Sequence, residues 1–146
     1  MKSIRILGGI VSSMILLNAC ASTDTANRSV KSKEITQQIE QLTRLAKKTE
    51  ANGDLNNAIG FYQRAYSLDT DNLTLIKNLT DALALRGDLH AIEQIYARAT
   101  ETLPENANLR RQYGNVLVKQ DKLPQAIIQF QNALQINDNN PEVKSS

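Results

Sequence analysis

Ala58-Ile59-Gly60-Phe61-Tyr62-Gln63-Arg64-Ala65, Ile92-Glu93-Gln94-Ile95-Tyr96-Ala97-Arg98-Ala99 and Ala126-Ile127-Ile128-Gln129-Phe130-Gln131-Asn132-Ala133 are one pattern written three times, each copy 34 residues after the last. Each has an apolar residue, an aromatic four positions on, and alanine three beyond that. Gly53-Asp54, Gly87-Asp88 and Asp121-Lys122 recur in the same register, ahead of each copy. A 34-residue period built from two helical segments is the mark of a stacked helix–turn–helix array.

The local chemistry of the middle unit, Leu73 to Asn106, supports this. Leu75, Ile76, Leu79, Leu83 and Leu85 fall mostly at helical spacing. Gly87-Asp88 breaks the stripe, since glycine adopts a positive φ without steric cost. Ile92, Ile95, Tyr96 and Ala99 restart it, and Leu103-Pro104 ends it. In the first unit Ile39, Leu42, Leu45 and Ala46 make the first stripe, extended upstream through Ile35 with Ser32 as the expected N-cap. In the third, Tyr113, Gly114 and Leu117 precede a turn at Gln120 to Lys122, and Pro124 lies in the first turn of the next helix. Asn72, Asn106 and Asn140 close the units where a next helix would be capped. Ala46, Thr80 and Gly114 are small residues at matching places in the first helices, so backbones can approach closely there. Tyr62, Tyr96 and Phe130 are expected to fill the gaps between units.

These residues resemble the tetratricopeptide repeat family over about 39–140, with repeats at about 39–72, 73–106 and 107–140. The family's tryptophan is replaced by Leu42, Ile76 and Arg110, its tyrosine by Thr49, Leu83 and Leu117. Only Pro104 supplies its closing proline. The resemblance implies an all-α fold, a right-handed superhelix of three helical hairpins over 34–146. A plain three-hairpin bundle is the alternative, and three registers kept at one period count against it.

The N-terminus differs from this. Lys2 and Arg5 precede an apolar run, Ile6 to Leu17, interrupted by Gly8, Gly9, Ser12 and Ser13. Basic, apolar, then small residues is the layout of a secretory signal. The run is roughly a dozen residues, short of the about 20 a spanning helix needs. Leu17-Asn18-Ala19-Cys20 resembles the lipobox of bacterial lipoproteins. The resemblance implies removal of residues 1–19 and acylation at Cys20, and two or more acyl chains hold a protein on a bilayer stably. Ala21 rather than Asp follows the cysteine, which in that family favours the periplasmic face of the outer membrane. Cys20 is the single cysteine, so no intrachain disulfide can form. Residues 20–33 are mostly polar, with Val30 as the one large apolar residue, and are expected to form a flexible tether of roughly 20 Å.

Processing also changes the charge. The chain is +2, with 17 Lys and Arg against 15 Asp and Glu. Loss of Lys2 and Arg5 leaves 15 of each. The basic balance belongs to the signal, and no basic cluster with interleaved aromatics suggests nucleic acid.

Catalysis has little to stand on. His90 is the only histidine and reads as a surface helix residue. No metal-ligand spacing appears, and no cofactor, metal or catalytic residue is expected. Binding has better candidates. In the tetratricopeptide family, first-helix residues line a concave groove. Carried onto this chain, that face includes Thr43, Lys47 and Glu50; then Lys77, Asp81 and Ala84, with Asn78 beside them; then Arg111, Asn115 and Val118. Lys47, Lys77, Asn78, Asp81, Arg111 and Asn115 are the candidate protein-binding residues. The pattern is similar to the family's carboxylate-clamp subgroup, and Asp81 departs from it. At the other end, Asn140-Pro141-Glu142 looks like the first turn of another helix. The outer face of the third unit, around Ile127, Leu134 and Ile136, is expected to be partly exposed and to take part in self-association or to receive a partner helix.

The expected function is that of an outer-membrane-anchored periplasmic scaffold for protein partners, not an enzyme. The architecture looks most like tetratricopeptide lipoproteins of tight-adherence (Flp-type) pilus assembly. The alternative is a pilotin-like or cell-wall-machinery adaptor that binds a secretin or a peptidoglycan enzyme.

Overall fold

All three hairpin turns use one hydrogen-bond pattern, set by a residue in the left-handed region. Gly53 (φ 82°) donates to Glu50 O at 2.9 Å while Asp54 N donates to Thr49 O at 3.0 Å. Gly87 (φ 80°) and Asp88 do the same to Ala84 O and Leu83 O, both at 3.0 Å. Asp121 (φ 60°) and Lys122 donate to Val118 O and Leu117 O at 3.0 and 2.9 Å. This is a Schellman closure, which satisfies carbonyls a helix end would otherwise leave free.

The computed structural model describes the backbone of residues 19–139 and the side chains of residues 28–138. It comprises α1 (Ala19–Ala51), α2 (Leu55–Leu68), α3 (Leu73–Arg86), α4 (Leu89–Thr102), α5 (Ala107–Lys119) and α6 (Leu123–Asn139). The signal segment, apart from its last residue, and the Asn140 cap with Pro141-Glu142 lie outside the described residues. Two units divide the chain, Met1–Thr36 and Gln37–Ser146.

In the first unit the described residues are helical, and Arg28 to Glu34 are exposed. The coil expected for 20–33 is therefore a helix here. No Pro or Gly occurs between Gly9 and Gly53, and once a helix is nucleated each added residue gains a hydrogen bond. For the same reason Ser32 is not a cap. It lies inside α1, where its carbonyl accepts from Thr36 Oγ1 at 3.0 Å. Cys20 falls in the first turn of α1.

The second unit is the array. Consecutive helices α2 to α6 pack as neighbours: α2 on α3, α3 on α4, α4 on α5, α5 on α6. Side-chain caps fix the starts of α2 to α5. Asp54 Oδ1 accepts from Asn57 N and Asp88 Oδ1 from Ala91 N. Asn72 Oδ1 accepts from Thr74 N and Leu75 N, and Asn106 Oδ1 from Leu109 N. The main core joins Ala46, Ile59, Tyr62, Leu79, Ala82, Leu83, Ile92 and Val116 across five helices. A smaller one joins Ile76, Ala99 and Leu109.

The aromatics do more than bridge units, because each also meets its own unit's first helix. The Phe130 ring lies against Gly114, where an added Cβ would come within 2.6 Å of the ring. Tyr96 Oη is 3.2 Å from Thr80 Oγ1. Tyr62 Oη donates to Glu50 Oε2 at 2.9 Å. Thr80 and Gly114 share one register position, whereas Glu50 lies four residues further along its helix, in register with Ala84 and Val118. The period therefore repeats the meeting of the aromatic with its own first helix but not the residue it meets.

Candidate functional site

The candidate groove residues sit on first helices, and the structure separates them by what they touch. Asp81 and Asn115 come together in one cleft of about 420 Å³. Its walls are the C-terminal halves of α3 and α5, with Thr80, Ala84, Val118 and Lys119. Its base is α4, with Leu89, Ile92 and Tyr96. Leu89, Gln112, Val116 and Lys119 carry no signal in the sequence reading, and Ile92 and Tyr96 read there as core stripe rather than cleft lining. The second-helix aromatic register was the available signal for Tyr96. That register reads as core, because burial and cleft-lining share one spacing.

Lys47 lines a second cleft of about 480 Å³, with Ile39, Glu40, Thr43 and Arg44 of α1 and Thr74 and Leu75 of α3. Thr43 Oγ1 is buried without a hydrogen-bond partner among the described residues. Lys77 pairs with Asp81 one turn on in α3, and that carboxylate raises the ammonium above the ordinary lysine range. Arg111 is exposed and donates to Asn108 Oδ1 at 2.8 Å. Asn78 is half-buried with its amide nitrogen closed off from solvent, so the structure turns it inward and away from the groove. Lys77 and Arg111 each already hold an acceptor, and neither lines the Asp81–Asn115 cleft. The arrangement does not assemble a carboxylate clamp.

Apolar side chains are also exposed near this cleft. Leu85 (69% exposed) and Val118 (46%) stand free at the C-terminal ends of α3 and α5, beside exposed Ala84. Ala84 and Val118 line the Asp81–Asn115 cleft, and Leu85 lies outside it. His90, expected as a surface residue, is exposed on α4, its ring 3.2 Å from Gln94 Nε2. Among the described residues, no group of three or more His, Cys, Asp or Glu is placed to hold a metal. No described helix is long and apolar enough to cross a membrane.

Solved structures with this arrangement share its fold at low identity. The translocator chaperone SycD of Yersinia enterocolitica type III secretion superposes with a TM-score of 0.59 at 19% identity, covering 75% of this chain and 81% of that one. PcrH, in complex with the chaperone-binding region of PopB, gives 0.58 at 16%, covering 75% and 88%. The first TPR of Spaghetti (RPAP3), bound to the HSP90 peptide SRMEEVD, gives 0.56 at 20%, covering 74% and 86%. The fold is tetratricopeptide-like. The second unit of this chain is an all-α superhelical array with the fold of these neighbours. No family model and no curated protein matches the sequence.

Proposed function

We propose that this chain is a lipid-anchored scaffold on the periplasmic face of the outer membrane. Its groove holds a segment of a protein partner during assembly of a pilus or secretion machine. The observation that carries the binding half of this reading is the cleft between α3 and α5. Asp81, Asn115 and Lys119 line it around Leu89, Ile92 and Val118. A polar rim over an apolar base fits an extended segment that anchors one large apolar side chain and pairs its backbone with the rim. SycD in complex with a peptide of the translocator YopD has the same fold. Because Lys77 is neutralised by Asp81, an internal segment suits this groove better than a free carboxylate terminus.

The anchoring half rests on Leu17-Asn18-Ala19-Cys20. Acylated at Cys20, the helix from there to Thr36 would serve as a spacer of about 25 Å at 1.5 Å per residue.

A photo-crosslinking residue at Val118 tests the groove in intact cells. It is expected to give a discrete adduct with one partner, and Ala84→Glu, which crowds the rim, to abolish it. An equal yield from a crosslinker at Leu73, remote from the cleft, would defeat the groove assignment. Cys20→Ser is expected to shift the protein from the membrane to the soluble fraction. Retention on membranes in cells lacking the crosslinked partner would defeat the anchor.

A further inference from the structure

In this array α2 and α4 are each roofed by the first helix of the next unit. On α2 the roof is α3: Ile59 and Tyr62 are 1% and 4% exposed beneath Leu79, Ala82 and Leu83. On α4 the roof is α5, with Gln120 Nε2 donating to Leu89 O and Lys122 Nζ to Glu93. The residues one period apart can therefore be compared along α2, α4 and α6. They are Leu55, Ile59, Tyr62 and Tyr66 on α2; Leu89, Glu93, Tyr96 and Thr100 on α4; Leu123, Ile127, Phe130 and Leu134 on α6. The α6 set repeats the chemistry of the α2 set, the one that α3 covers, rather than the polar variant on α4. Yet Leu123, Ile127 and Leu134 are 50%, 55% and 63% exposed. At 3.6 residues per turn these three lie within about 40° of one another, on one stripe.

The opposite end of the array is built differently. The α1 residues in register with Leu75, Leu79 and Ala82 are Gln41, Leu45 and Lys48, a mainly polar set. A second copy stacked head to tail would put Lys48 over an apolar stripe, so that occupant is disfavoured.

We infer that the Leu123–Ile127–Leu134 face of α6 is a docking site for an amphipathic helix of a partner protein. That helix carries an α3-like stripe: two large aliphatic residues four apart, then a small one three beyond. It binds antiparallel to α6 as α3 binds α2, and completes the core half-formed by Phe130. This site lies on a second helix and does not depend on the first-helix groove or on the lipid anchor.

The matching probe is a synthetic peptide of residues 71–88, the α3 sequence itself. A side-chain lactam between Lys77 and Asp81, which are exposed and already paired in α3, offsets the cost of helix nucleation in a short peptide. Binding of the fluorescent peptide to the full 146-residue chain is read by polarisation. Saturable binding is expected. Ile127→Asp and Leu134→Asp should each weaken it about tenfold or more, as truncation of an anchor does. Ile128→Asp, about 100° round the helix and 52% exposed, should leave it unchanged, and circular dichroism checks that all three variants stay helical. A peptide with Leu75→Asp and Leu79→Asp should not bind.

Absence of saturable binding overturns the proposal, as does equal weakening by Ile128→Asp. Sedimentation showing a dimer that Leu134→Asp dissociates assigns the face to a second copy instead. Hydrogen exchange that deprotects α6 on deletion of residues 140–146 assigns it to the chain's own C-terminal residues. Either result overturns the partner-helix assignment.

Discussion

At the residue scale, the third hairpin departs from the other two at two adjacent positions, and both have consequences. Asp121 occupies the left-handed site that Gly53 and Gly87 fill. Asp tolerates this region better than most residues but still carries a Cβ where glycine has none. Asp121→Gly is expected to stabilise the chain by roughly 0.5–1 kcal/mol, offset in part by the greater freedom of glycine in the unfolded chain. Urea denaturation would show this as a rise in midpoint at unchanged slope. Next to it, Lys122 stands where Asp54 and Asp88 cap their helices. A lysine cannot accept a hydrogen bond from a helix N-terminus. Its ammonium reaches instead to Glu93 on α4, 2.6 and 2.7 Å from the two carboxylate oxygens. The turns were legible in the sequence because glycine and aspartate mark them. The swap of a cap for an ion pair was not, since the two partners are 29 positions apart.

At the scale of elements, the small residues of the first helices set how near each second helix can come. Gly114 is the extreme case, with Phe130 Cε1, Cδ1 and Cζ all within 2.9 Å of where a Cβ would stand. Thr80 at the matching place in α3 is 3% exposed and bonds its hydroxyl to Ile76 O and Tyr96 Oη. Gly114→Ala is expected to cost about 1–3 kcal/mol by overpacking. Phe130→Leu in the same chain should recover part of that loss. Thermal unfolding of both single variants and the double checks this, and strict additivity would mean the ring and Gly114 are not in contact. The periodicity gave the place of these pairs. It did not give their partners, because one spacing serves equally for contact within a hairpin and between hairpins. The same spacing could not show that α1 extends upstream of its core-facing stripe. Only the lack of a breaker hints at that.

At the scale of the molecule, an array is held together by its seams, since each repeat contacts only its neighbours. The seam between the second and third units includes the Glu93–Lys122 pair. Lys122 beside it, with help from Gln120, lowers the Glu93 carboxyl below the ordinary range against a smaller opposing effect of burial. A carboxyl depressed in the folded state stabilises that state above the unfolded pKa, near 4.3. The contribution disappears as pH falls through the lower folded value. Lys122→Met is expected to cost about 1–2 kcal/mol at pH 7 by leaving Glu93 without its partner. Its stability should then fall less steeply between pH 5 and pH 3 than that of the parent chain. Urea midpoints across that range give the comparison, and parallel curves would show that the pair carries no net energy.

The sequence by itself determined the repeat: its period, its turns, its asparagine caps and the apolar stripes that require stacking, because each is a local preference written at a fixed interval. It also placed Asp81 and Asn115 on one face, and foresaw bare aliphatic side chains on the last helix. Only the tertiary structure decided which of the candidate residues share a cleft. It turned Asn78 inward, tied Lys77 to Asp81 and Arg111 to Asn108, and built the cleft's base from Leu89, Ile92 and Tyr96 of α4. The physical reason is that helical spacing fixes the direction of a side chain from its own axis, while what lies in that direction depends on how closely the next helix approaches.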